Sequence, residues 1–185
     1  MNPLESDRIA LRPIEKDDLT QLVTWFQDPE VLRFQSSGPF IPRSVSALAE
    51  EYSSASGRRD TDVWLAVFSK SEEKVIGTVA LQGGGGFNRT ATFILMIGPP
   101  YQDRGYGLAA TRLTLSYGFS QLGLHRIQLV VFGFNERAMK TYKNAGFVEE
   151  GRARDSLFRD GRFHDVVHMG ILDEEWRALS ASRAG

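Results

Sequence analysis

Ile97-Gly98-Pro99-Pro100-Tyr101-Gln102-Asp103-Arg104-Gly105-Tyr106-Gly107-Leu108-Ala109-Ala110 closes an apolar run, turns on two prolines and then presents small residues ahead of a helical pattern. Glycines at 105 and 107 let a backbone approach a ligand with no Cβ in the way, and the N–H groups of a first helical turn have no acceptor within their own helix. Together these make a cradle for an anion, and the Arg104 guanidinium suits a pyrophosphate. A P-loop is excluded, because Leu108 stands where Lys followed by Ser or Thr is required. A dinucleotide fingerprint fits the letters Gly105-x-Gly107-x-x-Ala110 but not their setting. Gly98 to Arg104 separate the glycines from the strand, and no acidic residue appears in the next strand, Ile127 to Phe132.

The residues around the loop give a mixed α/β pattern. Arg8 to Ile14 alternates as a half-buried strand that Pro13 places at an edge or end. Asp17-Asp18 predict the cap of a helix bearing Leu19, Leu22, Val23 and Phe26, and Asp28-Pro29 predict a second, short helix ended by Ser36 to Pro39. Val45, Leu48, Ala49 and Tyr52 predict a further amphipathic helix, followed by a polar loop from Ser53 to Asp60. Runs at 62–68 and 75–81 read as a hairpin, and Gln82 to Gly86 as a flexible turn into the strand that ends at Ile97. Beyond the loop come a helix over 108–122, a strand at 127–132 set for parallel pairing, and a helix capped by Asn135 and ended by Gly146. A hairpin at Asp160-Gly161 and a helix beginning at Asp173 complete the chain.

Composition narrows the function. The 185 residues fit one domain over 1–185, with its core from about 8 to 176, and 42% apolar content is ordinary for a soluble protein. A net charge of −1 with no long basic run excludes general affinity for nucleic acid or anionic membrane. No segment reads as a signal or a membrane span, so a cytoplasmic location is expected. With no cysteine there is no thiol nucleophile, disulfide or thiolate metal site. His164 and His168 share a strand face but lie roughly 13 Å apart along an extended chain, so no metal is expected.

An apolar strand, a proline two residues beyond it and Gln102-x-x-Gly105-x-Gly107 resemble the acyl-CoA loop of the GNAT superfamily of N-acetyltransferases. Leu122 to Ile127, Asn135-Glu136-Arg137-Ala138 and Tyr142-Lys143-Asn144-Ala145-Gly146-Phe147 resemble that family's next strand and helix in the same order. The resemblance runs from Arg8 to about Trp176 and is nearest the branch that acetylates ribosomal-protein N-termini. It implies a mostly antiparallel mixed sheet, helices on both faces, and acetyl-CoA wedged where the strands ending near Ile97 and Phe132 splay. It further implies that the main chain of Leu95, Met96 and Ile97 pairs with the pantetheine arm and thioester. Residues Gln102, Asp103, Arg104, Gly105, Tyr106 and Gly107 would hold the pyrophosphate, and Asn135 would contact the arm. Tyr142 is implied as the general acid that protonates the leaving thiolate.

Direct attack by an amine in a ternary complex is the expected reaction, and a non-catalytic acyl-CoA binding module is the alternative. Many relatives carry a glutamate on the strand before the loop, whereas Ala91 to Ile97 contains no acid. Glu136, His164, Asp165, His168 or a water chain stay open as the base, and His125 reads as structural. The acceptor could be a protein N-terminus, a polyamine, an aminoglycoside or another small amine, on a monomer or homodimer.

Overall fold

The computed structural model describes residues 2–41, 44, 46, 47, 50 and 62–184. The helix expected around Val45 to Tyr52 and the loop after it lie largely outside the described residues. Seven strands form one sheet in the order β1-β2-β3-β4-β5-β7-β6. They are β1 (Ile9–Arg12), β2 (Val63–Ser69), β3 (Lys74–Gln82), β4 (Thr90–Ile97), β5 (Arg126–Phe132), β6 (Val148–Arg159) and β7 (Arg162–Leu172). Among the described residues five continuous α-helices accompany them: α1 (Lys16–Phe26), α2 (Pro29–Gln35), α3 (Tyr106–Ser120), α4 (Glu136–Ala145) and α5 (Asp173–Ala184). The expected mixed, mostly antiparallel architecture is therefore present.

Every neighbouring pair is antiparallel except β4 and β5, and that joint is short. Only Thr90, Ala91 and Thr92 pair with Arg126, Ile127 and Gln128. Past Thr92, β4 stays bound to β3 as far as Ile97, while β5 stays bound to β7 as far as Phe132. The two strands diverge because each is held by a different neighbour. The Gly98-Pro99-Pro100 exit prevents β4 from following β5, since proline has no N–H for a ladder and fixes φ. Gly98 is required for a second reason. A Cβ there would stand 2.5 Å from the Trp25 ring of α1, closer than any real contact.

Strand alternation divides the core into two layers. Phe93, Leu95, Ile97, Leu129 and Val131 join α3, α4 and α5 on one face, where Leu115, Ala110 and Trp176 pack. Met96 and Ala66 join Leu22, Trp25 and Val31 of α1 and α2 on the other. The gap between β4 and β5 consequently opens through the sheet, from the α3/α4 face to the α2 face.

Local signals account for most helix ends, with three corrections. The cap of α1 is Glu15 rather than the Asp17-Asp18 pair. Asp18 lies at the third helical position and closes a capping box: its backbone N–H donates to Glu15, and its carboxylate accepts from the Glu15 N–H at 2.8 Å and from Arg12 at 2.7 Å. Helix α3 begins at Tyr106, two residues earlier than its apolar spacing indicates, and ends before Leu122, which is exposed. Strand β6 begins at Val148, whereas the pattern ahead of the Asp160-Gly161 turn reads as a strand only from Arg152 to Phe158, because register irregularities between Glu149 and Gly151 and between Ala153 and Leu157 hide its period. Asp28 and Asn135 cap as expected, accepting from the N–H groups of Glu30 (2.9 Å) and Ala138 (3.1 Å).

Candidate active site

An open cavity of about 430 Å³ occupies the gap. Its α3/α4 side is lined by Leu95, Ile97, Gln102, Asp103, Gly105 and Gly107, then by Asn135, Arg137, Thr141 and Tyr142 of the next loop and helix. Its α2 side is lined by Val31, Phe34, Gln35 and Ser37 with Met96, Val130 and Phe132. Nine of the eleven residues expected at the site line it, all but Arg104 and Tyr106, although they come from three separate stretches of chain.

The loop presents backbone donors. Asp103 and Gly105 both have positive φ (58° and 78°), a conformation that concentrates successive N–H groups on a concave side. No side chain caps α3, whose first-turn amides at Tyr106, Gly107 and Leu108 lack intrahelical acceptors. The loop is braced from behind. Arg8 donates to the Arg104 carbonyl at 2.8 Å and stacks on the Tyr106 ring at 4.9 Å. The Tyr106 hydroxyl lies 3.1 Å from Ser69 Oγ and 3.0 Å from Ser71 Oγ, bonds that lower its pKa.

Two of the expected binding side chains consequently face elsewhere. The Tyr106 ring is buried in the core, so only its backbone N–H can serve an anion. Arg104 pairs with Glu72 at 3.2 Å and lies over Tyr101, outside the cavity lining, because the left-handed turn at Asp103 and Gly105 directs it toward the β2-β3 hairpin. Arg137 takes the position expected for Arg104: it lines the cavity and pairs with Asp103 at 3.2 Å. Its place two residues beyond Asn135 was the available sequence signal, since the first turn of α4 faces the loop. Arg8 carried no such signal.

The diverging edge of β4 is dressed by two glutamines. Gln35 Nε2 donates to the Leu95 carbonyl and Gln102 Nε2 to the Ile97 carbonyl, both at 2.9 Å. The Gly98 N–H donates to Ile76 of β3, so by alternation Met96 turns its backbone toward β3 and Leu95 and Ile97 turn theirs into the gap. With the two carbonyls already occupied by glutamine donors, what this edge chiefly offers a ligand is N–H groups. Met96, expected to pair through its main chain, contributes a side chain instead, 2% exposed and packed with Trp25. Because a carbonyl oxygen faces Gln35, its amide nitrogen must be the end pointing there, leaving Oε1 for the cavity.

Tyr142 stands edge-on to Phe93 and Phe147, with ring centres 6.2 and 5.9 Å away. Burial pushes its phenol up to about 12, so it is fully protonated at neutral pH. None of the open base candidates lines the cavity. Glu136 is exposed on α4, His164 stacks on Phe134, the Asp165 carboxylate accepts from the Asp155 N–H, and His168 is exposed on β7. Among the described residues no cluster of three or more His, Asp or Glu side chains could hold a metal ion.

Residues 8–148 match the family model described as an acetyltransferase (GNAT) domain. The chain belongs to the GNAT acetyltransferases. It is similar to the spermidine N(1)-acetyltransferase of Vibrio cholerae, 29% identical over 171 residues that cover 92% of this chain and 96% of that one. The putative ribosomal N-acetyltransferase YdaF of Bacillus subtilis is 33% identical over 100 residues, 54% of this chain and 55% of its own. The ribosomal-type likeness is therefore real over half the chain, while the polyamine enzymes match nearly all of it. Among solved structures, V. cholerae spermidine N-acetyltransferase in complex with CoA and spermine superposes with a TM-score of 0.84 at 27% identity, covering 93% and 99% of the two chains. This GNAT protein is accordingly an acetyl-CoA-dependent N-acetyltransferase, as its relatives are.

Proposed function

We propose that the protein acetylates a primary amine of a small molecule by direct attack within the gap, with acetyl-CoA entering from the α3/α4 face and the amine from the α2 face. The observation that carries this reading is the continuity of one cavity from the uncapped start of α3, past Tyr142, through the sheet to α2. The pyrophosphate seats on the amides of residues 103–107. Arg137 can leave Asp103 for it, because an exposed ion pair holds by less than about 1 kcal/mol. The Asn135 amide nitrogen, not used in capping, donates to the pantetheine arm.

In the reaction, the amine nitrogen attacks the thioester carbon and a C–N bond forms. Negative charge on the carbonyl oxygen is met by the Leu95 and Ile97 N–H groups, donors fixed before the reaction begins. The C–S bond then breaks, and the sulfur takes the Tyr142 proton. A phenol near 12 facing a thiol near 8.5 makes complete transfer about 5 kcal/mol uphill. An unburied phenol would leave about 2 kcal/mol. Proton transfer therefore accompanies C–S cleavage rather than preceding it. The one acid lining the cavity among the described residues, Asp103, sits at the coenzyme end beside Arg137, and no imidazole lines it, so the amine sheds its proton to water at the cavity mouth.

The test is thiol release from acetyl-CoA across a panel of amines, beside calorimetry with CoA. Turnover of a small amine is expected. Coenzyme binding with no turnover of any amine would favour a binding module instead.

A further inference from the structure

The α2 wall of the cavity carries information about the acceptor that its coenzyme wall does not. Phe34 and Phe132 line it, and Phe134 ties them into one aromatic surface, with ring centres 5.7 Å from Phe34 and 5.8 Å from Phe132. His164 extends that surface, 4.8 Å from Phe134. Charge at this end is cationic. Arg159 donates to the Ser36 and Gly38 carbonyls at 2.6 and 3.0 Å, directly behind Ser37 of the cavity wall. Arg33 lies over both Phe34 and Phe134, at 5.8 and 5.3 Å, and is ion-paired with Asp160 at 2.7 Å.

Two consequences follow for an incoming amine. Asp160, which reaches this surface through Arg33, is already committed to that guanidinium. One face each of Phe34 and Phe134, which would attract an ammonium group, is likewise taken by that guanidinium. Asp103, the sole acid among the described lining residues, belongs to the coenzyme end and is paired with Arg137. A second or third ammonium on the acceptor would approach Arg159 with no carboxylate among the described lining residues of this wall to offset it. A single amine carried on a flat or aliphatic body meets apolar surface throughout, with Gln35 Oε1 as the polar group available to the attacking nitrogen.

We propose that the preferred acceptor is a monoamine on an aromatic or aliphatic body, seated against Phe34 and Phe132 with Phe134 packed behind them, and that polyamines are poor substrates. This rests on reading the cavity as an acetyl-transfer site. The probes are 2-phenylethylamine and spermidine, compared by thiol release at saturating acetyl-CoA. A kcat/KM at least tenfold higher for 2-phenylethylamine is expected. Arg33→Gln uncovers the rings and releases Asp160, so it should shift the ratio several-fold toward spermidine. Phe134→Leu, a milder change, should raise KM for 2-phenylethylamine without altering CoA affinity. If spermidine is the better substrate of the unaltered protein, or neither variant moves the ratio, the acceptor class is wrong while acetyl transfer stands. If neither amine is acetylated although CoA binds, both readings fall.

Discussion

The two faces of the gap are made of different materials. On the α3/α4 face the binding groups are main chain: the amides of residues 103–107 and the unpaired N–H groups of β4. On the α2 face they are side chains, brought from α2, β4 and β5. A backbone site tolerates any sequence that supplies the right turns and the right empty spaces, whereas a side-chain site selects by shape and charge. The first face therefore suits a coenzyme shared by many enzymes, and the second suits an acceptor peculiar to one.

The sharpest way to break that distinction is to fill one of the empty spaces. A Cβ at Gly107 would lie 3.7 Å from Leu95 Cδ2 and 3.8 Å from Thr141 Cγ2, ordinary contacts, so the fold can accept it. Valine there projects its methyl groups into the coenzyme path. Gly107→Val should abolish CoA binding in calorimetry while the melting temperature moves little. Gly105→Val is a poorer probe, because φ of +78° strains any residue with a Cβ. If the Gly107 variant binds CoA like the parent, the anion site lies elsewhere.

Tyr142→Phe removes one hydroxyl and keeps the ring against Phe93 and Phe147. A positioned acid typically contributes about 10² to 10⁴ in rate, so kcat should fall within that range at unchanged CoA affinity. Full kcat in single-turnover measurements would remove Tyr142 from the mechanism.

A cavity whose one acid among the described residues sits at the coenzyme end predicts its own pH profile. An alkyl ammonium near pKa 10.4 is mostly protonated at pH 7, and the neutral fraction rises about tenfold per unit. The kcat/KM for the amine should climb about 100-fold from pH 7 to 9. Tyr142, held near 12, keeps its proton throughout and should not bend the curve. A plateau beginning below pH 8 would reveal a protein base.

The smallest effect is expected at Arg104. Its guanidinium pairs with Glu72 outside the cavity, so Arg104→Ala should change the CoA dissociation constant by less than about threefold, and Arg137→Ala by more. The reverse order would restore Arg104 as the phosphate ligand.

The same division explains what the sequence made legible. Tyr142 is marked only by the family resemblance of its motif, whereas Gly105, Gly107 and Asn135 announce themselves because turns and caps impose local spacing, and that spacing survives in one dimension. Arg104 misleads for the same reason, since proximity to the glycines does not fix which way a left-handed turn sends a side chain. The α2 wall had no local signature. Arg159 meets Ser36 across 123 positions, and Phe34 meets Phe134 across a similar span, so chain order holds no trace of either contact. Gln35 reaches Leu95 across 60 positions, equally unannounced.

The three-pair joint between β4 and β5 has a mechanical meaning. It divides the sheet into two leaves that are zipped at one end and apart at the other. A ligand whose own amides bridge them acts as a removable strand. Deuterium uptake at Leu95 and Ile97 should then slow when acetyl-CoA is added, while amides in the β5-β7 ladder keep their rates. The stiffness of the sheet becomes a function of how much acetyl donor is present.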